Sequence, residues 1–139
     1  MKLIVCVDTR GGMTFNSRRV STDRVVYEKI LQMCDGKLYI APYSEKLFSN
    51  QSMLCVSEAF LDLAGVDDWC FLENQDPASR LRFANEIVLF CWNRTYPADL
   101  KFPLELLEKD WECVCRDEFS GNSHEKVTME VYRRCGKSS

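Results

Sequence analysis

The stretch Ile87-Val88-Leu89-Phe90-Cys91-Trp92 decides the fold. It is an unbroken apolar run, rich in strand-favouring residues and too short for an ordinary helix. A strand with one wet face alternates apolar and polar residues. A continuously apolar one is covered on both faces, which is the habit of strands in a parallel sheet flanked by helices. Upstream, Trp69 to Leu72 reads as a second buried strand, and Ser52 to Val56, Lys37 to Pro42 and residues 2–8 as three more. Helical patterns fall between them. Ser21 or Thr22 is placed to cap a helix running to about Cys34, with Val26, Ile30, Met33 and Cys34 on one face and Gly36 as its stop. Ser44 to Phe48 reads as a helical turn and Glu58 to Leu63 as a short helix. Asp76-Pro77 is predicted to start a helix carrying Leu81 and Phe83. Asp8 to Ser21 reads as a polar loop containing Gly11-Gly12 and Arg18-Arg19.

Downstream the pattern changes. In Asp110 to Phe119, Trp111, Cys113 and Cys115 alternate with Glu112, Val114 and Arg116; in Lys126 to Arg134, Val127, Met129 and Val131 alternate with Thr128, Glu130 and Tyr132. Joined by Ser120-Gly121-Asn122-Ser123, these form a half-exposed antiparallel hairpin. The expectation is an α/β fold: a mixed, mostly parallel central sheet with flanking helices and a C-terminal antiparallel hairpin. No repeat or linker divides the chain, so residues 1–139 are read as one domain.

The chain has 139 residues, 46% of them hydrophobic and 28% charged, which excludes wholesale disorder. A net charge of −3 gives no global attraction to nucleic acid or anionic membrane. No apolar run approaches the roughly 20 residues of a membrane span. The opening Met1 to Asp8 is too soon interrupted by charge to be a secretory signal, so a cytoplasmic setting with free thiols is expected for the eight cysteines. Cys6, Cys34, Cys55, Cys70 and Cys91 lie in apolar patterns and read as small buried hydrophobes. Cys113 and Cys115, on one face of a strand, read as packing residues rather than metal ligands. The single histidine, His124, is expected to be exposed at the hairpin turn. With no histidine near Ser21, Ser44 or the cysteines, nucleophilic hydrolysis finds no support. The sequons at Asn50 and Asn93 carry no weight without secretion.

In order and spacing, several motifs resemble those of the dihydrofolate reductase family over nearly the whole chain. Leu3 to Asp8 followed by Gly12-Met13 is similar to its first strand and mobile loop, and Asp23 falls close to its substrate-binding carboxylate. Ala84 to Leu89 is similar to its late strand, and Asp99-Leu100-Lys101-Phe102-Pro103 resembles its D-x-x-F-P connection. Asp110-Trp111-Glu112, Asn122-Ser123-His124 and Glu130 to Arg134 resemble its closing hairpin. The chain also resembles short bacterial proteins labelled ribonuclease Z. The metal chemistry of that name needs an H-x-H-x-D-H set, which one histidine cannot supply, and we read the label as misapplied.

The resemblance implies an NADPH site and a folate site, and the residues at both depart from the family. A Gly-Gly pair that admits the pyrophosphate is here Glu73-Asn74, whose carboxylate would repel phosphate by roughly 1–4 kcal/mol at about 4 Å. A Gly-Arg before a phosphate-binding helix is Ala41-Pro42, although Ser44 keeps a hydroxyl. The arginine that selects the 2′-phosphate gives way to Ser57-Glu58, and the arginine that grips folate is replaced near Asn50. The hydroxyl that partners the catalytic carboxylate falls within Phe90-Cys91-Trp92.

No catalytic residue is assigned, with Asp23 the candidate carboxylate; the plainer reading puts it in the first turn of a helix, where an acid favours the macrodipole. The expected ligand-binding set is Asp23, the guanidinium cluster Arg18, Arg19 and Arg24, Ser44, Glu73, Asn74 and Trp92. Solvated arginines and a packed Trp92 are the plainer alternatives. No metal and no cofactor are expected, NADPH being the one cofactor the scaffold would suggest. The leading expectation is a domain of this fold without the usual reductase activity, binding a small anionic ligand or a partner. Alternatives are an NAD(P)H-dependent reductase with a rebuilt pocket, and a small interaction or inhibitor protein of a mobile element. Nucleic acid enters only through the arginine loop, and a membrane not at all.

Overall fold

The structure is a computed structural model, describing residues 1–48 and 52–135. Its frame is a seven-stranded sheet. The strands are β1 (Lys2–Val7), β4 (Leu38–Ile40), β5 (Leu54–Val56), β6 (Trp69–Phe71), β7 (Glu86–Cys91), β9 (Trp111–Phe119) and β10 (Val127–Arg134), in the spatial order β5-β4-β6-β1-β7-β10-β9. Strands β5 to β7 along that order are all parallel, and β10 runs antiparallel to both β7 and β9. The expected mixed sheet with its C-terminal hairpin is the architecture found.

The unbroken Ile87–Trp92 run sits where its composition demands. Leu3, Val5, Ile87 and Leu89 point to one face, against Phe60, Leu61, Leu81, Leu107 and Trp111. Ile4, Val88 and Phe90 point to the other, under Val26, Tyr27 and Ile30 of helix α1 (Arg24–Met33). Both faces of β1 and β7 are thus dry. The first face is covered by helix α2 (Phe60–Leu63), helix α3 (Leu107–Asp110) and 3-10 turns rather than by long helices.

Four local expectations change. The cap of α1 is Asp23, not Ser21 or Thr22, because its carboxylate accepts the Val25 N–H at 3.0 Å. The helix closes at Cys34 in an extended conformation, so Gly36 is not needed as a left-handed stop. The helix expected from Asp76-Pro77 is absent: Asp76 accepts the Ala78 N–H at 3.0 Å in a local turn, and only Leu81–Phe83 form a 3-10 turn. Finally, the Asp8–Ser21 segment is not simply a loop. It holds β2 (Gly12–Phe15) and β3 (Arg18–Arg19), which join β8 (Leu100–Lys101) in a small antiparallel sheet. Asn16 and Ser17, both at positive φ (51° and 64°), make the two-residue turn whose twist suits a hairpin.

The closing hairpin corrects another expectation. Cys113 and Cys115 are exposed, and the alternation along β9 is broken by a bulge. Cys115 faces Val131 and Cys113 faces Tyr132, so Val114 is the extra residue. As the outermost strand, β9 has exposed side chains along most of its length. All eight cysteines are free, and Cys34 and Cys70 are buried as expected, whereas Cys6, Cys55 and Cys91 are only partly covered. Burial pushes the Cys34 and Cys70 thiols up to about 12, and raises those of Cys6 and Cys91. Native protein titrated with a thiol-reactive chromogen should therefore show Cys113, Cys115 and Cys135 reacting fast and Cys34 and Cys70 only on unfolding. Fast labelling of Cys34 or Cys70, located by mass spectrometry, would contradict this packing.

Candidate functional site

Ligands of open α/β sheets sit beyond the carboxyl ends of the strands. Two side-chain clusters close that end here, and both start in the short segment between β2 and α1. In the first, the β2–β3 hairpin delivers Arg19 to Glu73, which follows β6. Arg19 Nε donates to Glu73 Oε2 at 2.7 Å and Nη2 to Oε1 at 3.0 Å. Ser44, fully buried beyond β4, donates its hydroxyl to Glu73 Oε1 at 2.7 Å. The Arg19 guanidinium also donates to the Tyr43 carbonyl at 3.2 Å and lies 4.4 Å over the Tyr43 ring. The in-register pairing of β4 with β6 puts Ser44 and Glu73 side by side. The hydrogen bond to Glu73 raises the Arg19 pKa further, against the opposing effect of burial. This is a bidentate, nearly dry ion pair.

The second cluster centres on Asp23. Its side chain has no exposed surface. Besides the Val25 N–H, it accepts the N–H groups of Asn122 (2.8 Å) and Ser123 (2.9 Å) from the hairpin turn, and His124 Nδ1 lies 2.9 Å from Oδ2. Burial by itself would raise the Asp23 pKa, but the hydrogen bonds from Asn122, His124, Ser123 and Val25 outweigh it and hold the carboxyl well below the usual range. Gly121 makes this approach possible, since a Cβ there would overlap Asp23 Oδ2. The expected ligand-facing carboxylate is instead turned inward and covered by the chain's own turn.

His124 is buried rather than exposed, because the same turn folds onto β7. Its ring stacks on Trp92, centroids 4.7 Å apart and planes at 22°. Asn93, at φ 60°, donates to the Lys126 carbonyl at 3.1 Å and to Thr128 Oγ1 at 3.0 Å, tying the end of β7 to the start of β10. On its other nitrogen, His124 Nε2 is 2.9 Å from Ser21 Oγ. Ser21 therefore does have a histidine partner, contrary to the sequence reading. Tyr96 donates its hydroxyl to Ser21 Oγ at 3.4 Å, and its backbone N–H is held by Asp8 Oδ2 at 2.9 Å. Sequence reasoning missed His124, Ser21, Tyr96 and Asp8 as members of one network.

The other expected site residues are scattered. Arg18 and Arg24 are exposed; Arg24 lies 3.7 Å from Glu28 and donates to Asn122 Oδ1 at 3.4 Å. Asn74 borders a polar pocket of about 430 Å³ with Asn16, Ser17 and Asp99. Trp92 lines a pocket of about 150 Å³ with Arg94, His124 and Lys126, while most of its own ring is packed. The position expected to lack a folate-gripping arginine, Asn50, lies outside the described residues. Among the described residues no group of three or more His, Cys, Asp or Glu side chains is arranged to hold a metal, and no helix is long and apolar enough to cross a membrane.

The fold is that of the dihydrofolate reductases. A solved dihydrofolate reductase from Enterococcus faecalis, complexed with NADP(H) and RAB-propyl, matches 96% of this chain and 95% of its own with a TM-score of 0.65. The two share 12% sequence identity, so the likeness is one of fold. No protein-family model and no curated protein matches the chain.

Proposed function

We propose that this domain uses the dihydrofolate reductase scaffold for binding, without NADPH-dependent folate reduction, and that its ligand is a small anion or an anionic group on a partner. The observation that carries the reading is the Arg19–Glu73–Ser44 cluster. If the resemblance aligns Glu73-Asn74 with the pyrophosphate-binding glycines, a carboxylate and its own arginine occupy the place of phosphate and protein donors. Releasing that pair to admit a dinucleotide would leave Glu73 and Ser44 dry and unpaired. The enclosed Asp23 supports the same conclusion for folate, since every oxygen it could offer a pterin is already taken.

Cations remain for an anion. Among the described residues, Arg18 and Arg94 form no ion pair. Arg94 and Lys126 flank the small pocket beside Trp92, where Lys126 is 3.4 Å from Glu118 on the surface. Thermal melting with NADPH, dihydrofolate, inorganic phosphate and a nucleoside monophosphate tests the proposal. A ligand at 100 times its Kd adds about 2.7 kcal/mol, a shift of several degrees in a domain this size. The expected result is no saturable shift with NADPH or dihydrofolate, and one with a phosphorylated ligand that shrinks in Arg18→Ala or Arg94→Ala. Saturable NADPH binding followed by hydride transfer would replace this reading with that of a reductase using a rebuilt pocket.

A protein-interaction role has one observation in its favour. Val66 and Phe83, both more than half exposed, line a pocket of about 330 Å³ that also touches Met1 and Leu61. Isolated apolar side chains are common on surfaces, but two on one hollow with an apolar floor form a patch.

A further inference from the structure

Beyond binding, the geometry points to a nucleophilic serine: we infer that Ser21, His124 and Asp23 form an acyl-transfer site able to cleave small carboxylic esters. The inference is independent of the anion-binding reading and rests on the order of contacts. Asp23 Oδ2 faces His124 Nδ1 at 2.9 Å, and His124 Nε2 faces Ser21 Oγ at 2.9 Å. The ionised carboxylate, fixed by the N–H groups of Val25, Asn122 and Ser123, sets the imidazole tautomer. With the ring proton on Nδ1, facing the carboxylate, the bare Nε2 accepts the serine hydroxyl. Nucleophile, base and orienting carboxylate stand in the relation that activates a serine in unrelated hydrolases.

Each member suits its task by environment. Asp23 is fully enclosed and cannot rotate away. His124 is clamped against Trp92, so its ring is held in plane with both partners' reach. Ser21 is only partly covered, so the nucleophile is not sealed in the core as Asp23 is. Tyr96, whose hydroxyl donates to Ser21 Oγ at 3.4 Å, has a proton within reach of an oxyanion formed on a carbon bonded to that oxygen. Asp8 fixes Tyr96 through its backbone N–H. The network ties α1 to the hairpin, and burial falls along it from the enclosed Asp23 to the partly covered Ser21.

In the reaction, Ser21 Oγ forms a bond to the ester carbonyl carbon as its proton passes to His124 Nε2. The bond to the leaving oxygen then breaks, and that oxygen takes the proton from Nε2. Water, giving a proton to the same nitrogen, then bonds to the acyl carbon; the bond to Ser21 Oγ breaks, Oγ takes the proton from Nε2, and the carboxylic acid leaves. Asp23 is a positioning residue throughout.

A fluorophosphonate probe gives the direct test, because it forms an Oγ–P bond and expels fluoride with the serine proton. The intact protein should gain one adduct, mapped by peptide mass spectrometry to Ser21. Ser21→Ala should abolish both this adduct and p-nitrophenyl acetate hydrolysis. Tyr96→Phe should slow acetate hydrolysis by about 100-fold if its hydroxyl serves the oxyanion. His124→Gln should lose labelling while a thermal melt reports whether it is folded. If that variant fails to fold, the Ser21→Ala and Tyr96→Phe comparison still decides. No adduct on folded wild-type protein, an adduct on another residue, or equal hydrolysis by wild type and Ser21→Ala would overturn the inference.

Discussion

Asp23→Ala is expected to lower the unfolding free energy by about 3–5 kcal/mol, the range found when one partner of a buried, charged network is removed. Three backbone N–H groups and His124 Nδ1 lose their acceptor together. Two of those N–H groups belong to the turn that packs on the carboxylate, so the loss spreads to the hairpin. Asp23→Asn tests the charge separately, since an amide of the same shape cannot accept from all these donors. The pH dependence follows from the depressed pKa. The folded-state value lies below the ordinary one, so the stabilisation is complete above the unfolded value of about 3.9. It fades as pH falls below that value towards the folded one. Urea midpoints at pH 7 and pH 3 should therefore fall further for the wild type than for Asp23→Asn. A loss under about 1 kcal/mol in Asp23→Ala, the net value of an ordinary hydrogen bond, would mean the network is not cooperative.

The second large effect belongs to Glu73. Glu73→Ala leaves the Arg19 guanidinium without its carboxylate and the fully buried Ser44 hydroxyl without an acceptor. Arg19 keeps a quarter of its side chain exposed, and water reaching it moderates the loss. The expected cost is about 2–4 kcal/mol, toward the lower part of the range for buried pairs. Replacing both with methionine should restore much of that stability, because it removes two desolvated charges at once and keeps the volume filled. Denaturant titration of Arg19→Met, Glu73→Met and the double variant forms the cycle. Strictly additive losses would show that the two side chains are bound independently, against the short contacts between them.

The sequence carried the frame clearly because burial on two faces leaves a mark on composition. Ile87 to Trp92 had no polar residue to spare for solvent, and the structure covers it on both sides. The cluster of arginines before α1 was also visible in the sequence, though not which arginine would find a carboxylate. Arg19 and Glu73 are 54 positions apart, and nothing in either neighbourhood names the other. His124 shows the limit most sharply. A histidine in a Ser-Gly-Asn-Ser turn has the local chemistry of an exposed residue. What buries it is the folding of that turn onto Trp92 and Asp23, a contact made across 101 positions. Asp76-Pro77 fails in the opposite sense, since its helix-start signal is satisfied by a single turn when no apolar face follows to hold a helix.

That cap on α1 also fixes an order of events during synthesis. Helix α1 emerges early, but two of the N–H groups that anchor its cap, those of Asn122 and Ser123, are translated about a hundred residues later. The central strand β1 likewise waits for Glu86 to Cys91 before both its edges are paired. A nascent chain halted before the hairpin would hold a frayed helix and an open sheet edge. Closing such distant loops is slow, so the ribosome-bound chain holds its central strand half clothed until Glu86 to Cys91 arrive, a period in which a chaperone would find it.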